Sequence, residues 1–369
     1  MLQSALQAQT GARLHFYAMP IPPLYGHEGL RNRLAGAVAA GRLPQGLLLE
    51  GPPGVGKQRL ALWLAQALLC EGGPGSGGGC GACRACKLVL NLSHPDVHWF
   101  VPVEPPKKAA DPDKLVDLVA EALAEQMAAR REGPLYEPPS GLAGHGIASV
   151  RLLLRRLVLT PAMGGRKVFI IGDAERLVPQ PGAEAAANAL LKALEEPPQD
   201  TVFVLTTAQP DALLTTILSR VVRVRVAGNS DSVLAAFART ELGLKPEREI
   251  MQRVAAADGC IGRLLAPEQG GPASGESEIT GRFLGAAEGG SARRYAFALG
   301  QQPFQARGAF TDMLDGLLER LRHEARNGAD LDKVVEAIAR VLDARRLAQG
   351  NVNPQLIAAV LADDLAEHA

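Results

Sequence analysis

Residues 46–58 of the chain read GLLLEGPPGVGKQ, and RLALWL follows at 59–64. An apolar run, a glycine-rich loop and a helical pattern, in that order, predict the strand, turn and helix of a P-loop. Gly51, Gly54 and Gly56 let backbone N–H groups converge on phosphate oxygens, and Lys57 supplies a point charge for the β- and γ-phosphates. The pattern departs at its last position. Where Ser or Thr would put a hydroxyl on Mg²⁺, Gln58 puts an amide. This stretch alone leaves open whether the loop serves turnover or keeps only its shape.

The rest of the chain narrows the class. With 369 residues there is room for several domains and a substantial core. Lys plus Arg and Asp plus Glu both number 39, so no global charge draws the chain to nucleic acid or to a membrane. Hydrophobic residues make up 47% and aromatics only 4%, with Ala and Leu dominant, which favours helices over an all-β architecture. No secretory apolar region is legible at the start, and no apolar run approaches the ~18 residues of a membrane span. A cytoplasmic protein without membrane association is the expectation.

Four of the five cysteines, Cys70, Cys80, Cys83 and Cys86, fall in one short stretch with the spacing C-x9-C-x2-C-x2-C. That points to metal rather than disulfides, since overlapping C-x2-C steps let thiolates converge on one tetrahedral ion. Four thiolates fill the shell, so the expected ion is a structural Zn²⁺ with no open position for water. His94 and His98 lie nearby but are not needed as ligands. Cys260, standing alone, reads as a small core residue.

Lys167 to Ile171 reads as a buried strand that leads to Asp173, where P-loop folds place the carboxylate that holds Mg²⁺ through water. Ala174 follows where a catalytic carboxylate would orient the attacking water. Glu175, one position on, is expected to face elsewhere and to be a poor substitute. Residues 102–145 read as an insertion around a charged helix from Asp113 to Arg131, with Leu115, Leu118, Ala122 and Met127 as its docking face. The next helix carries Arg151, Arg155 and Arg156, for which a solvated or salt-bridged face outweighs a nucleic-acid contact. Further strands at 202–206 and 221–226, alternating with helices, predict an α/β fold with a parallel sheet covered on both faces. From Ser230 onward the pattern is helical only. A linker at 267–275 is followed by apolar faces at Met313, Leu314, Leu317, Leu318 and Leu321, then at Val334, Val335, Ile338, Val341 and Leu342.

Taken together, these motifs resemble the clamp-loader branch of the AAA+ proteins, most closely the delta-prime subunits of bacterial DNA polymerase III. The resemblance rests on GPPGVGK with the cysteine module after it, HPD at 94–96, NALLKALEEPP at 188–198, ILSR at 217–220 and NVNPQL at 351–356. It covers nearly the whole chain from about residue 24; the first 20 residues and the 102–145 insertion depart from the pattern.

The resemblance implies a RecA-like AAA+ domain over 1–227, a small helical lid over 228–266, a linker over 267–277 and a helical collar domain over 278–369. It also implies partners: gamma, tau and delta subunits in a hetero-pentameric ring, a sliding clamp and primed DNA. In such rings the Ser-Arg-Cys motif of one subunit reaches the γ-phosphate of ATP held by its neighbour. Here it reads Ser219-Arg220-Val221, so Arg220 is the expected arginine finger in trans, with Ser219 beside it. Gln58, Ala174 and Gly262, the last where active relatives have a nucleotide-touching arginine, are departures from the ATP-hydrolysing gamma and tau pattern. The expectation is a structural, non-catalytic subunit, with an ATP-hydrolysing gamma/tau-like subunit as the alternative. Lys57 and the glycines leave binding of ATP and Mg²⁺ open.

Overall fold

The computed structural model describes residues 21, 23–73, 78–104, 111–132, 143–163, 165–178, 184–265, 278–301, 309–326, 328, 330–349 and 352–367. The first 20 residues and the expected linker at 267–275 lie outside them. The chain divides into two compact units, with the boundary near residue 266.

The first unit is built on five parallel strands: β1 (Gly46–Glu50), β2 (Val97–Phe100), β3 (Lys167–Ile171), β4 (Thr201–Thr207) and β5 (Val222–Arg225), in the order β2-β3-β4-β1-β5. Successive side chains of a strand point to opposite faces, and here the two faces build separate cores. Leu48, Phe169, Phe203 and Leu205 face one side; Leu47, Leu49, Val168, Ile170, Val202 and Val204 face the other. A strand flanked by helices on both sides has no wet face, which is why β1, β3 and β4 read as almost unbroken apolar runs. Phe169 stacks with Phe203 at 5.3 Å and with Phe100 at 6.5 Å, tying three adjacent strands together.

Helices α1 (Glu28–Ala39), α2 (Lys57–Leu69) and α3 (Arg84–Leu90) cover the second of these faces. The first face is covered by α4 (Pro112–Glu132), α5 (Ile147–Leu157), α6 (Ala185–Glu195) and α7 (Thr215–Leu218). In α2, ten of thirteen residues are buried, so the helix that starts at Lys57 is fixed by packing along its whole length.

The 102–145 insertion is closed at its base by an antiparallel bridge between Val103 and Gly144, and α4 packs into the same core as α5 and α6. Its docking face differs from the expected one. Val116, Val119 and Leu123 are buried, whereas Leu118 is exposed and Leu115, Ala122 and Met127 only flank the core. Both stripes have helical spacing, and the one of Val116, Val119 and Leu123 packs into the core. Arg155 of α5 pairs with Asp113 of α4, and the Arg156 guanidinium lies 5.7 Å from the Phe100 ring centroid, so these arginines join helices to the core.

Helices α8 (Asp231–Thr240), α9 (Glu247–Ala257) and α10 (Ile261–Leu265) complete the first unit around Leu234, Phe237, Ile250, Val254 and Leu264. Tyr25, from the segment before α1, packs edge-on against Phe237 at 5.0 Å.

The second unit is helical: α11 (Glu278–Ala287), α12 (Ser291–Leu299), α13 (Ala309–Arg326), α14 (Leu331–Gln349) and α15 (Pro354–Glu367). Its core holds Phe283, Phe297, Met313, Leu314, Leu317, Leu318, Val341 and Ile357. On α14 the expected apolar set divides. Val334 and Val341 are buried, but Val335 and Leu342 are exposed and share a face with exposed Leu331. No helix among the described residues is long and apolar enough to cross a membrane.

Candidate functional site

The P-loop sits where the sheet order reverses, between β1 and its neighbours β4 and β5. The Gly51 N–H donates to the Thr207 carbonyl at 3.2 Å, and a Cβ on Gly51 would lie 2.2 Å from the Val226 carbonyl oxygen. Gly54 and Gly56 have φ of +76° and +106°, backbone that glycine adopts without strain. The imidazole Nε2–H of His27 donates to the Val55 carbonyl at 2.9 Å and braces the loop from the segment before α1.

Lys57 is buried, and its Nζ donates to the carbonyls of Gly51 and Pro52 at 2.7 and 2.8 Å. Burial lowers its pKa, against the pull of the Glu175 and Asp173 carboxylates. Glu175 therefore does not face away as expected. Asp173 sits in left-handed backbone at φ 49°, and the chain turns at once into a short 3₁₀ helix, Ala174–Leu177. That turn buries Ala174 in the apolar core and sets the Glu175 carboxylate in the electrostatic cluster of Lys57 and Asp173, where Oε1 accepts the Ala208 N–H at 3.3 Å. Burial, then the Asp173 charge, raise the Glu175 pKa.

Gln58 lies against Gly172 and directs its amide at Asp173, with Nε2 3.3 Å from both carboxylate oxygens. Its Oε1 accepts from Arg130 of α4 at 3.5 Å, and the Arg130 guanidinium is stacked 4.1 Å above the Trp99 ring. These contacts are at the long end for hydrogen bonds but converge on one amide. Where a metal ligand should offer an oxygen, the arrangement offers N–H to Asp173, and a neighbouring guanidinium supplies positive charge. This donor set does not fit a divalent cation.

The expected lid position is equally closed. The Gly262 N–H donates to the Gly54 carbonyl at 2.8 Å, and a Cβ on Gly262 would meet the Gly54 Cα at 2.7 Å. An arginine at 262 has no room, and Arg263 instead lies 3.7 Å from Asp258.

Cys70, Cys80, Cys83 and Cys86 come together, with all four Sγ atoms within 4.8 Å of one another. The backbone N–H groups of Cys80, Cys83 and Cys86 donate to the sulfurs of Cys70, Cys80 and Cys83 at 3.3 to 3.4 Å. Such bonds favour thiolate, and backbone donors from Cys83 and Ala82 bring the Cys80 pKa down to about 6, whereas burial pushes the Cys86 thiol up. The donor set fits a metal ion with a closed shell of four sulfurs. The module packs on α2: a Cβ on Gly78 would lie 2.5 Å from the Trp63 indole.

Ser219 and Arg220 follow α7, before β5. Arg220 forms an ion pair with Glu195 at the end of α6, donates to the Thr216 carbonyl at 2.7 Å, and lies 3.2 Å from Ser219 Oγ. Sequence reasoning missed His27, Arg130 and His145, a buried histidine whose Nε2–H donates to the Gly172 carbonyl at 2.7 Å. None carries a motif, since each acts through a contact across more than 25 residues.

Residues 26–230 match the protein family described as DNA polymerase III, delta subunit. The chain belongs to that family. Among curated relatives of this family member, DNA polymerase III subunit delta' of Pseudomonas aeruginosa is 36% identical over 176 residues, covering 48% of this chain and 41% of the relative. The Escherichia coli subunit delta' is 32% identical over 189 residues, covering 51% and 44%. A DNA polymerase III subunit gamma/tau of Mycobacterium tuberculosis is 29% identical over 195 residues, covering 53% of this chain and 26% of that one. The match therefore spans less than half the length of these relatives.

Proposed function

We propose that this chain is a non-catalytic structural subunit of a bacterial DNA polymerase III clamp loader, acting in the cytoplasm to help place a sliding clamp on primed DNA. The observation that carries the reading is the Gln58 amide 3.3 Å from both oxygens of Asp173, in the place of the oxygen ligand that a hydrolytic site needs for Mg²⁺. Ala174, buried in the core, leaves the catalytic carboxylate position empty of chemistry, and Gly262 against Gly54 leaves no room for the lid arginine.

In this reading residues 228–266 are the lid and 278–369 the collar, which packs with gamma, tau and delta subunits in the ring. The exposed stripe of Leu331, Val335 and Leu342 on α14 supports a helix face that is covered by a partner. Arg220 completes a neighbour's ATP site: a guanidinium there stabilises charge on the transferring phosphoryl group. A zinc ion held by the four cysteines has no open position, so its part is to fix the segment after α2.

A second reading, an ATP-hydrolysing gamma/tau-like subunit, gains from one observation: Glu175 shares an electrostatic cluster with Lys57 and Asp173. ATP hydrolysis by the purified chain separates the two. The structural reading expects no turnover above background and no change on Lys57→Ala. Turnover on the order of 1 s⁻¹ that is lost on Lys57→Ala and on Glu175→Gln establishes the second reading instead.

A further inference from the structure

The amide of Gln58 does not by itself exclude a divalent cation. A glutamine side chain has a donor end and an acceptor end, and its carbonyl oxygen is an ordinary ligand of hard cations. Turned the other way, Gln58 would offer Oε1 to an ion beside Asp173. A second contact fixes it as found: Oε1 accepts from Arg130 at 3.5 Å, while Nε2 lies 3.3 Å from both Asp173 oxygens. With a carboxylate on one side and a guanidinium on the other, only one orientation of the amide satisfies both neighbours.

Arg130 carries no nucleotide motif. It belongs to the last turn of α4, inside the 102–145 insertion and 72 residues from Gln58. The same turn holds Arg131, which is exposed, where the negative end of the helix dipole favours a cation in water. Arg130 is 7% exposed instead, with its guanidinium 4.1 Å from the Trp99 ring centroid near the end of β2. Burying a guanidinium is costly, so the dipole does not explain this placement. The stack on Trp99 holds the guanidinium where its Nη1 reaches Gln58. The same charge, one side chain away from Asp173, repels an ion that approaches the acid.

We propose that Arg130 is a lock on the metal position of the P-loop: the insertion supplies a fixed guanidinium that holds the Gln58 amide on Asp173 and opposes a divalent cation there. Arg130 is a positioning residue, acting through Gln58. The inference rests on the structural reading above and adds to it the residue that enforces the block.

The test is paramagnetic resonance titration of the full chain with Mn²⁺ alone. Arg130→Met keeps a long side chain on Trp99 but removes the charge and the donor. It should bind Mn²⁺ about tenfold or more tightly than the parent, at a site that disappears when Asp173→Asn is added. Arg130→Lys keeps a charged donor and should stay close to the parent, a rescue that a purely structural role would not require. The lock is overturned, with the structural reading intact, if a natively folded Arg130→Met chain binds Mn²⁺ no better than a non-binding parent. A gain that survives Asp173→Asn, or an equal gain in Arg130→Lys, overturns it too. A parent that already binds Mn²⁺ at Asp173 sinks both readings. Should Arg130→Met misfold, the guanidinium Nη–H resonances of the unaltered chain decide: a held Arg130 shows them and Gln58→Ala removes or shifts them, whereas absent or indifferent signals overturn the lock.

Discussion

The side-chain amide of Gln58 lies 3.3 Å from each carboxylate oxygen of Asp173, with Arg130 on its far side at 3.5 Å. The amide acts as donor to the acid and acceptor from the guanidinium, so it occupies both Asp173 oxygens from within the chain. Divalent metal should therefore gain little at this site. Paramagnetic resonance titration with Mn²⁺ and a nucleotide analogue should find no specific site in the parent. Gln58→Ser removes both N–H donors and restores a hydroxyl, and is expected to raise Mn²⁺ affinity about tenfold or more. Equal Mn²⁺ binding in both proteins would count against a blocked metal site.

The contact of Gly262 with Gly54 allows a sharper test, because both partners are backbone. Gly262→Ala brings a methyl to 2.7 Å from the Gly54 Cα, so either the P-loop or α10 must shift. Overpacking of this kind costs about 1–3 kcal/mol. Denaturant unfolding should register that loss, whereas Gly243→Ala, with open space around it but φ +65°, reports the backbone penalty alone.

How far these features were legible in the sequence depends on the distance over which they act. The sheet could be read because β1, β3 and β4 are buried on both faces and each strand carries its own apolar run. The four cysteines could be read because their ligand spacing is local. Glu175 was misjudged because alternation along a strand stops at Asp173, where left-handed backbone starts a 3₁₀ turn and redirects the next side chains. Arg130 was out of reach for another reason. It comes from a helix 72 residues beyond Gln58, and nothing in a charged helical run marks the one guanidinium that is buried on a tryptophan. The α14 stripe failed differently: Val335 and Leu342 are apolar, but only packing decides which of two apolar faces points inward.

Metal removal should act locally. Trp63 packs over Gly78 inside the cysteine module, and Trp99 lies on β2, so chelation is expected to shift the Trp63 emission. Metal analysis should return one zinc per chain, and a strong chelator or Cys86→Ser should lower the thermal midpoint while α8 to α10 keep their fold. A zinc-free preparation with unchanged emission and midpoint would remove the structural role.

His98 sets an acid limit on stability. Burial, then the Arg156 charge, bring its pKa down to about 4, whereas an unfolded histidine titrates near 6.5. Between these values the unfolded chain binds a proton that the folded chain refuses, so stability rises with pH across that window and is lost as pH falls from about 6.5 toward 4. The linked contribution is on the order of 3 kcal/mol. The His98 ring packs at a tilt against Phe169, 4.8 Å between centroids, so His98→Phe keeps an aromatic ring there and should flatten the pH dependence of the unfolding free energy between pH 4 and 6.5. An identical slope in the two proteins would assign the acid sensitivity to other groups.

The Arg220 ion pair with Glu195 bears directly on a role in trans. Glu195 belongs to the same subunit, so the proposed role requires the guanidinium to exchange it for a neighbour's γ-phosphate. The pair is partly exposed, with Arg220 at 27% and Glu195 at 47%, and pairs of this kind contribute about 0–1 kcal/mol, so the exchange is cheap. Arg220→Ala should accordingly leave the unfolding midpoint and ring assembly almost unchanged. It should also slow DNA-stimulated ATP hydrolysis by the reconstituted ring, by up to about 10³-fold at the affected site. Glu195→Gln removes the competitor and keeps Arg220, so hydrolysis should stay at the parent rate or rise. The two variants together separate catalysis from architecture: a contact that only positions α6 against α7 predicts equal losses from either substitution, whereas a trans finger predicts a loss from Arg220→Ala alone.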